Sequence, residues 1–217
     1  MKFKYTIQLI FLLLTISGYG QNYFIGVNAG ANFTNVKDDI FNDRVFKTGL
    51  CMGLTFDYLF SNRISLSADL LYTQKGFGNY FNFGDGIRGS GISGGREVVY
   101  FHYNYISIPT KIGYYVGEKF QGFGNIGLSS SYLVNSKTAF ENGNSINETN
   151  KVAKFDLAGQ IEMGCGYLFK GKFNIYSAIS FAHSFTDLSN QNYFGSGNIR
   201  NFGITASLGL KYNFKRR

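Results

Sequence analysis

The residues with the greatest potential for chemistry are the two histidines and the polar segment after the second one. His183 directly precedes Ser184, and Asp187 lies close by. Serine, histidine and aspartate can act as a nucleophile, its base and the group that orients the base. Consecutive residues of a strand point to opposite faces, however, so His183 and Ser184 cannot easily meet. We therefore expect the protein not to be an enzyme.

The histidines and cysteines also lack the pattern of a metal site. His102 and His183 have no companion acidic cluster, and Cys51 and Cys165 form neither a CxxC motif nor any other zinc-like spacing. The two cysteines fall on opposite faces of the strands described below, so a disulfide between them is not expected. We expect no metal and no cofactor.

The composition of the chain favours strands. Of 217 residues, 18% are aromatic and 16% are charged, with 28 glycines and one proline. Soluble domains carry about 25% charged residues. Glycine disfavours helices and aromatic residues favour strands, so the composition indicates an all-β protein and excludes a disordered one.

The N-terminus has the features of a secretory signal peptide. Lys2 and Lys4 precede an apolar stretch at residues 7–16, and Gly18-Tyr19-Gly20 resembles a cleavage site. We expect residues 1–20 to be the signal peptide and residues 21–217 to form one exported domain.

Apolar and polar residues alternate along the whole exported domain. Ile25, Val27 and Ala29, for example, alternate with Gly26 and Asn28. The pattern is clear or readable in these segments: 25–33, 49–60, 64–72, 101–116, 120–134, 153–169, 172–186 and 202–214. It predicts eight strands.

Short and long connections alternate between these segments. The short ones are Ser61-Asn62, residues 117–119 and Lys170-Gly171. The long ones lie near 34–47, 76–100, 136–151 and 187–199. Short turns at one end and long loops at the other are typical of an eight-stranded antiparallel up-and-down transmembrane β-barrel. A closed barrel has no sheet edge, so we expect the lone proline, Pro109, to mark a bulge near Lys111.

Alternation alone does not say which face points outward, and a secreted lipocalin-like binder of apolar ligands would alternate too. The non-apolar face is mostly Gly, Ser, Thr and Asn, whereas surfaces in water usually carry Lys and Glu. Aromatic residues also gather near both strand ends, as in the girdles of membrane barrels. Both observations favour an apolar face toward lipid in the cell outer membrane.

The C-terminal segment resembles the signal that the barrel assembly machinery reads. Its elements are Gly209, Tyr212 and Phe214 within an amphipathic strand. Three basic residues follow Phe214, where the signal usually ends on an aromatic residue.

The charges divide by position. An eight-stranded barrel is filled by its own side chains, and unpaired charges inside it are costly. We expect a paired charge network in the lumen with no wide pore, formed by Asp57, Asp69, Lys75, Lys111, Lys154, Asp156, Glu162 and Lys211. The excess positive charge of the chain lies at the short-turn end, where it faces anionic phospholipids, so we expect no nucleic-acid partner.

Two sequence motifs resemble the PorT-type outer membrane β-barrel family. They are Leu71-Tyr72-Thr73-Gln74-Lys75-Gly76 and Tyr105-Ile106-Ser107-Ile108-Pro109-Thr110-Lys111. The resemblance covers nearly all of the exported domain and departs from the family pattern at His183-Ser184-Phe185. It implies an eight-stranded barrel of the Gram-negative outer membrane, and the namesake of the family is linked to protein secretion.

These observations predict a small, monomeric outer membrane barrel with a structural or surface-interaction role. Its expected partners are outer membrane lipids, the assembly machinery and an unidentified extracellular or secretion partner. An accessory role in protein secretion or transport and a lipocalin-like binder remain the alternatives.

Overall fold

The computed structural model describes residues 22–38, 41, 43–61, 63–82, 95–140, 143–188 and 198–215. The expected signal peptide lies outside these residues, as do Arg216 and Arg217. The strands are β1 (Asn22–Lys37), β2 (Arg44–Leu59), β3 (Ile64–Asn82), β4 (Arg96–Val116), β5 (Phe120–Phe140), β6 (Ser145–Asn147), β7 (Phe155–Phe169), β8 (Phe173–Ser184) and β9 (Arg200–Lys215).

Eight of these strands form a closed antiparallel barrel. Strands β1 to β5 pair in chain order, β5 then pairs with β7, and β7 to β9 continue the sheet. The first and last strands close it, from Asn22 opposite Lys215 to Lys37 opposite Arg200. The short β6 lies outside this ring and pairs only with the end of β5. The predicted eight-stranded barrel is therefore confirmed, with β6 as a small addition.

Several strands extend further into the predicted long connections than the sequence indicated. Strand β3 continues to Asn82 and β4 begins at Arg96, although residues 76–100 were expected to be a loop. We call the parts of β3, β4 and β5 at residues 76–82, 96–104 and 135–140, together with β6, the extension. Its apolar inward-facing side chains, such as Phe77 and Phe101, bury one another and thereby hold the strands together.

The expected bulge at Pro109 is absent. Pro109 faces Ser129 in a regular register, and the β4–β5 ladder shifts instead between Asn104 and Tyr105. On the β3 side, residues 69 and 70 lack ladder partners next to Pro109, since proline has no N–H to donate, yet the register continues unchanged. The barrel tolerates the missing bond without inserting a residue.

The outer surface of the barrel carries the apolar residues. Ile25, Val27, Leu54, Ile112 and Leu208 are all exposed, while Ser65, Asp57 and Lys111 are buried inside. A lipocalin-like binder, with its apolar residues around an internal cavity, is therefore wrong. Within the described ranges, no helix is long and apolar enough to span a membrane.

Candidate functional site

The first charged contact in the lumen lies toward the end of the barrel that carries the short turns. The Nζ atom of Lys211 donates to Oδ2 of Asp57 at 2.6 Å, and both side chains are buried. The Tyr115 hydroxyl donates to the same carboxylate oxygen at 3.3 Å. Lys211 also lies over the Tyr176 ring, 4.3 Å from its centroid. Each partner of this ion pair is therefore contacted by a tyrosine side chain.

The second contact lies near the middle of the barrel and joins one lysine to two carboxylates. Lys111 on β4 donates to Asp69 Oδ2 at 2.9 Å and to Glu162 Oε1 at 3.0 Å. Asn125 donates to Glu162 at 2.6 Å from the intervening β5. The three charged side chains link β3, β4 and β7 across the lumen, so they act as a cross-brace.

The third contact lies closer to the end with the long loops. Lys75 donates to Asp156 Oδ2 at 2.8 Å, and the Thr186 hydroxyl donates to the other oxygen of Asp156 at 3.1 Å. Lys75 also lies 5.1 Å from the centroid of the Tyr105 ring. This contact connects the middle of the lumen to the aromatic residues above it.

The structure brings together seven of the eight charged residues that the sequence assigned to the lumen. Lys154 is the exception, because it precedes β7 and its exposed side chain donates to the backbone oxygen of Thr149 at 3.1 Å. The sequence pattern was wrong here because it placed the start of the strand at residue 153, whereas β7 begins at Phe155.

A small polar cavity of about 70 Å3 lies between these contacts. Cys51, Thr73, Ser107, Gln160 and Ser180 are among the side chains that line it. It suits a few water-sized molecules, and its hydroxyl and amide groups can hydrogen-bond to them.

Two clusters of aromatic and apolar side chains occupy the barrel on either side of this cavity. At the short-turn end, Tyr115, Phe123, Tyr176 and Ala178 pack together. At the long-loop end lies a larger cluster, which we call the apolar cap: Val36, Phe77, Val99, Phe101, Tyr103, Tyr105, Leu133, Val152, Leu188 and Ile199. The ion pairs, the cavity and the two clusters therefore follow one another along the lumen.

The residues of the expected assembly signal lie on β9. Gly209 faces the lumen, where the ring of Tyr176 occupies the space that a Cβ atom would need. Tyr212 and Phe214 point outward, with ring centroids 4.7 Å apart, and Tyr212 also contacts Phe173. The glycine therefore has a packing role in the folded barrel, whatever its role during assembly.

The nominal triad is not assembled. Ser184 is buried, whereas His183 lies on the outward side of β8 with its ring 6.5 Å from that of Phe202. Asp187 pairs instead with Arg200, at 3.6 Å. The other histidine, His102, lies on β4. Burial and the nearby charges of Lys47 and Lys137 lower the pKa of its imidazole to about 4, so it is neutral at physiological pH.

The cysteines and acidic residues show no further site in the described part of the chain. Cys51 is buried and Cys165 is exposed, and both are free thiols. No group of three or more His, Cys, Asp or Glu side chains among the described residues could hold a metal ion.

Sequence reasoning missed the neutral residues that complete the lumen. Asn125, Tyr115 and Tyr176 contact the charged groups, but nothing in their spacing distinguishes them from other residues of the alternating pattern. Their position on the inward face, combined with the register between neighbouring strands, could have identified them.

Comparisons with known proteins identify a family and several solved barrels. A family model for the outer membrane protein beta-barrel domain matches residues 19–190. No curated protein matches the sequence.

Three solved structures illustrate the structural likeness. The attachment invasion locus protein Ail of Yersinia pestis, in complex with the heparin analogue sucrose octasulfate, is 15% identical with a TM-score of 0.47, over 90% of this chain and 99% of that one. OprG from Pseudomonas aeruginosa is 12% identical with a TM-score of 0.49, over 90% and 96%. Neisserial surface protein A is 12% identical with a TM-score of 0.46, over 87% and 95%. Similarity at this level carries no information about function.

Proposed function

This chain belongs to the outer membrane protein beta-barrel domain family, and from that premise we propose that it is a non-conducting barrel whose working surface is its extension outside the cell. It is a multi-pass β-barrel of the cell outer membrane. In such barrels the short turns face the periplasm and the long loops face the exterior. The extension is therefore the part available for a structural or surface-interaction role.

The observation that carries this proposal is the filled lumen. Lys211 with Asp57, Lys111 with Asp69 and Glu162, and Lys75 with Asp156 bridge it at successive levels. The apolar cap closes it above them. Leaving one partner of a buried ion pair without the other costs several kcal/mol, which supports a lumen that stays closed.

Conductance across a planar lipid bilayer tests the closed lumen. We expect the purified protein to give no stable conductance steps, whereas a porin reconstituted in parallel gives them. Heat-modifiability on a denaturing gel, run with unboiled and boiled samples, verifies that the inserted protein is folded. Stable steps from the folded protein would overturn the proposal.

Labelling of intact cells tests which end is outside. In a C51S/C165S background, we expect I146C on β6 to react with a membrane-impermeant maleimide, since Ile146 is exposed in the extension. K119C, in the short turn between β4 and β5, serves as the matched control and should react only after lysis. The reverse pattern would place the extension in the periplasm and remove the proposed surface role.

The resemblance to PorT-type barrels supports an accessory role in secretion as the second candidate. Its most specific support is the pair of motifs around Lys75 and Lys111, and in the structure both of these lysines form ion pairs in the lumen. Co-purification of the tagged protein with secretion components would favour this role. Purification of the barrel alone from cross-linked membranes would favour the structural one.

A further inference from the structure

Three basic residues lie side by side where β2, β1 and β9 leave the apolar band on the extracellular side. Lys37 faces Arg200 in the β1–β9 ladder. Arg44 begins β2, and its Nη1 reaches the backbone oxygens of Val36 at 3.2 Å and Asp38 at 3.1 Å. We call Lys37, Arg44 and Arg200 the basic collar.

The described carboxylates offset only part of the charge of the basic collar. Arg44 pairs with Asp38 at 2.8 Å, and Arg200 pairs with Asp187 at 3.6 Å. Lys37 is exposed and, among the described residues, forms no ion pair within 4.0 Å. Among the described residues, three cations thus face two carboxylates, and both arginine side chains remain partly exposed.

A groove of about 620 Å3 connects this charge to the aromatic girdle. It is lined by Lys37 and Arg44 above and by Phe181, His183 and Phe202 below. Phe46 extends the aromatic floor, with its ring 5.9 Å from that of Phe202 in an edge-to-face arrangement. Cations directly above aromatic rings at a membrane boundary match the headgroup level of a lipid.

A second groove of about 660 Å3 runs lower on the same side of the barrel and is almost entirely apolar. Small or aliphatic side chains line it on four adjacent strands, among them Ala29, Met163, Ile179 and Ala206. On β9, Phe202 of the upper groove and Ala206 of the lower one are four residues apart, about 13 Å along the strand. An acyl chain below a headgroup spans such a distance.

We propose that these two grooves form one binding site for lipid A, the phosphorylated and acylated lipid of the outer leaflet. A phosphate group binds at the basic collar, where guanidinium and ammonium groups donate to its oxygens. One acyl chain lies in the lower groove, where it contacts the surface that small side chains leave open. The site depends on the extension facing outward, which the I146C labelling tests separately.

The experiment measures lipid binding to the folded barrel in detergent by native mass spectrometry. K37Q/R200Q removes two collar charges and leaves Arg44, which bonds to the backbone. K137Q is the control, because Lys137 is also an exposed lysine at the extracellular end but lies on β5, which pairs with none of the strands that carry the basic collar. An unboiled gel verifies that each variant is folded.

We expect K37Q/R200Q to bind lipid A at least tenfold more weakly than the wild-type protein, and K137Q to bind as the wild type does. Dephosphorylated lipid A should also bind the wild-type protein at least tenfold more weakly than lipid A does. The variant A206F, which fills the lower groove, should weaken binding severalfold with the collar intact.

Three outcomes would overturn the proposal. Equal weakening by K137Q would show that the net charge of this end acts without a site. Equal binding of phosphatidylglycerol would show that any anionic lipid suffices. Unchanged binding by A206F would remove the acyl groove from the site.

Discussion

The inward faces of the same strands are polar within the membrane and apolar in the extension. On β4, Ser107 and Lys111 face the lumen, whereas Phe101 and Tyr103 face inward in the extension and belong to the apolar cap. On β3, Asp69 and Thr73 are followed by Phe77. The chain therefore builds two different interiors on continuous strands. We call the polar one within the membrane the lower interior and the apolar one in the extension the upper interior.

The outward face of β4 becomes more polar where the strand leaves the membrane band. Ile106 and Ile108 of β4 are exposed on this face. Asn104 lies on the same face, nearer the extracellular end, and donates to Asn135 of β5 at 2.6 Å. Lipid surrounds the part of the strand within the membrane, whereas water surrounds its extension. Apolar side chains of β4 therefore face outward within the membrane and mainly inward in the extension. The medium outside the strand thus determines which of its faces is apolar.

Backbone irregularities lie at the level where the two interiors meet. The β2–β3 register shifts between Phe46 and Cys51, and the β4–β5 register shifts between Asn104 and Tyr105. Gly76 on the intervening β3 has φ +142°, and a Cβ there would overlap the backbone oxygen of Phe101. Bulges redirect side chains and increase local twist, which suits a change from one kind of packing to the other.

The largest effect should come from removing the central charge of the lower interior. K111M leaves the buried carboxylates of Asp69 and Glu162 without their cation, so we expect a loss of up to about 5 kcal/mol of unfolding free energy. Unfolding in urea, followed by loss of the fast-migrating unboiled band, measures it. The control K154M, at an exposed lysine outside the lumen, should change stability by no more than about 0.5 kcal/mol.

A combined variant makes the first test specific. K111M/D69N/E162Q removes all three charges, and we expect most of the lost stability to return because no unpaired charge remains buried. A triple variant no more stable than K111M would mean that the shape of the lysine, and not its charge, holds the lower interior together.

A smaller and more local effect should follow from opening the upper interior. Phe77 is fully buried and stacks on Phe101 with centroids 4.7 Å apart, so F77A should cost about 3 kcal/mol. We expect proteolysis of the extension while the unboiled band of the membrane barrel persists. I146A, at an exposed position, is the control. Loss of the folded band in F77A would show that the two interiors form one cooperative unit.

The smallest of the three effects concerns the outward face in lipid. Leu208 is 68% exposed on β9, and L208R should cost about 2 kcal/mol, because an arginine near the bilayer midplane must be hydrated or reach the interface. I175R, closer to the periplasmic end, should cost less, since the penalty falls toward the interface. Equal penalties at both positions would contradict the assigned depth. Refolding into vesicles at increasing urea measures both.

Much of the barrel could be predicted from local pattern. The alternation around Ile25 and around Leu208 predicted which side chains face outward, because a strand has a period of two residues. Most of the extension was missed: the predicted segments ended at residue 72 on β3 and at 134 on β5 and began at 101 on β4, whereas these strands run to Asn82, to Phe140 and from Arg96. In the extension the apolar residues lie on the inward face, so the pattern that identifies the membrane-spanning part does not continue there.

The candidate site was partly predictable for the same reason. Inward-facing charges such as Asp57 and Lys211 could be assigned from their strands, yet their pairing depends on register and on closure of the barrel between β1 and β9. Lys154 was misassigned because the start of its strand was placed too early. The basic collar could not be found, since Lys37, Arg44 and Arg200 come from three separate segments of the chain.

The sequence by itself determined the strand class, the membrane-facing side and most of the charges inside, because each follows from side-chain chemistry with a two-residue period. Tertiary structure alone decided which charges pair, where the inside changes from polar to apolar, and which cations meet at the outer rim. Those features depend on contacts between residues far apart in the chain, such as Lys75 with Asp156 and Lys37 with Arg200. Such contacts form only when the barrel closes and its register is fixed.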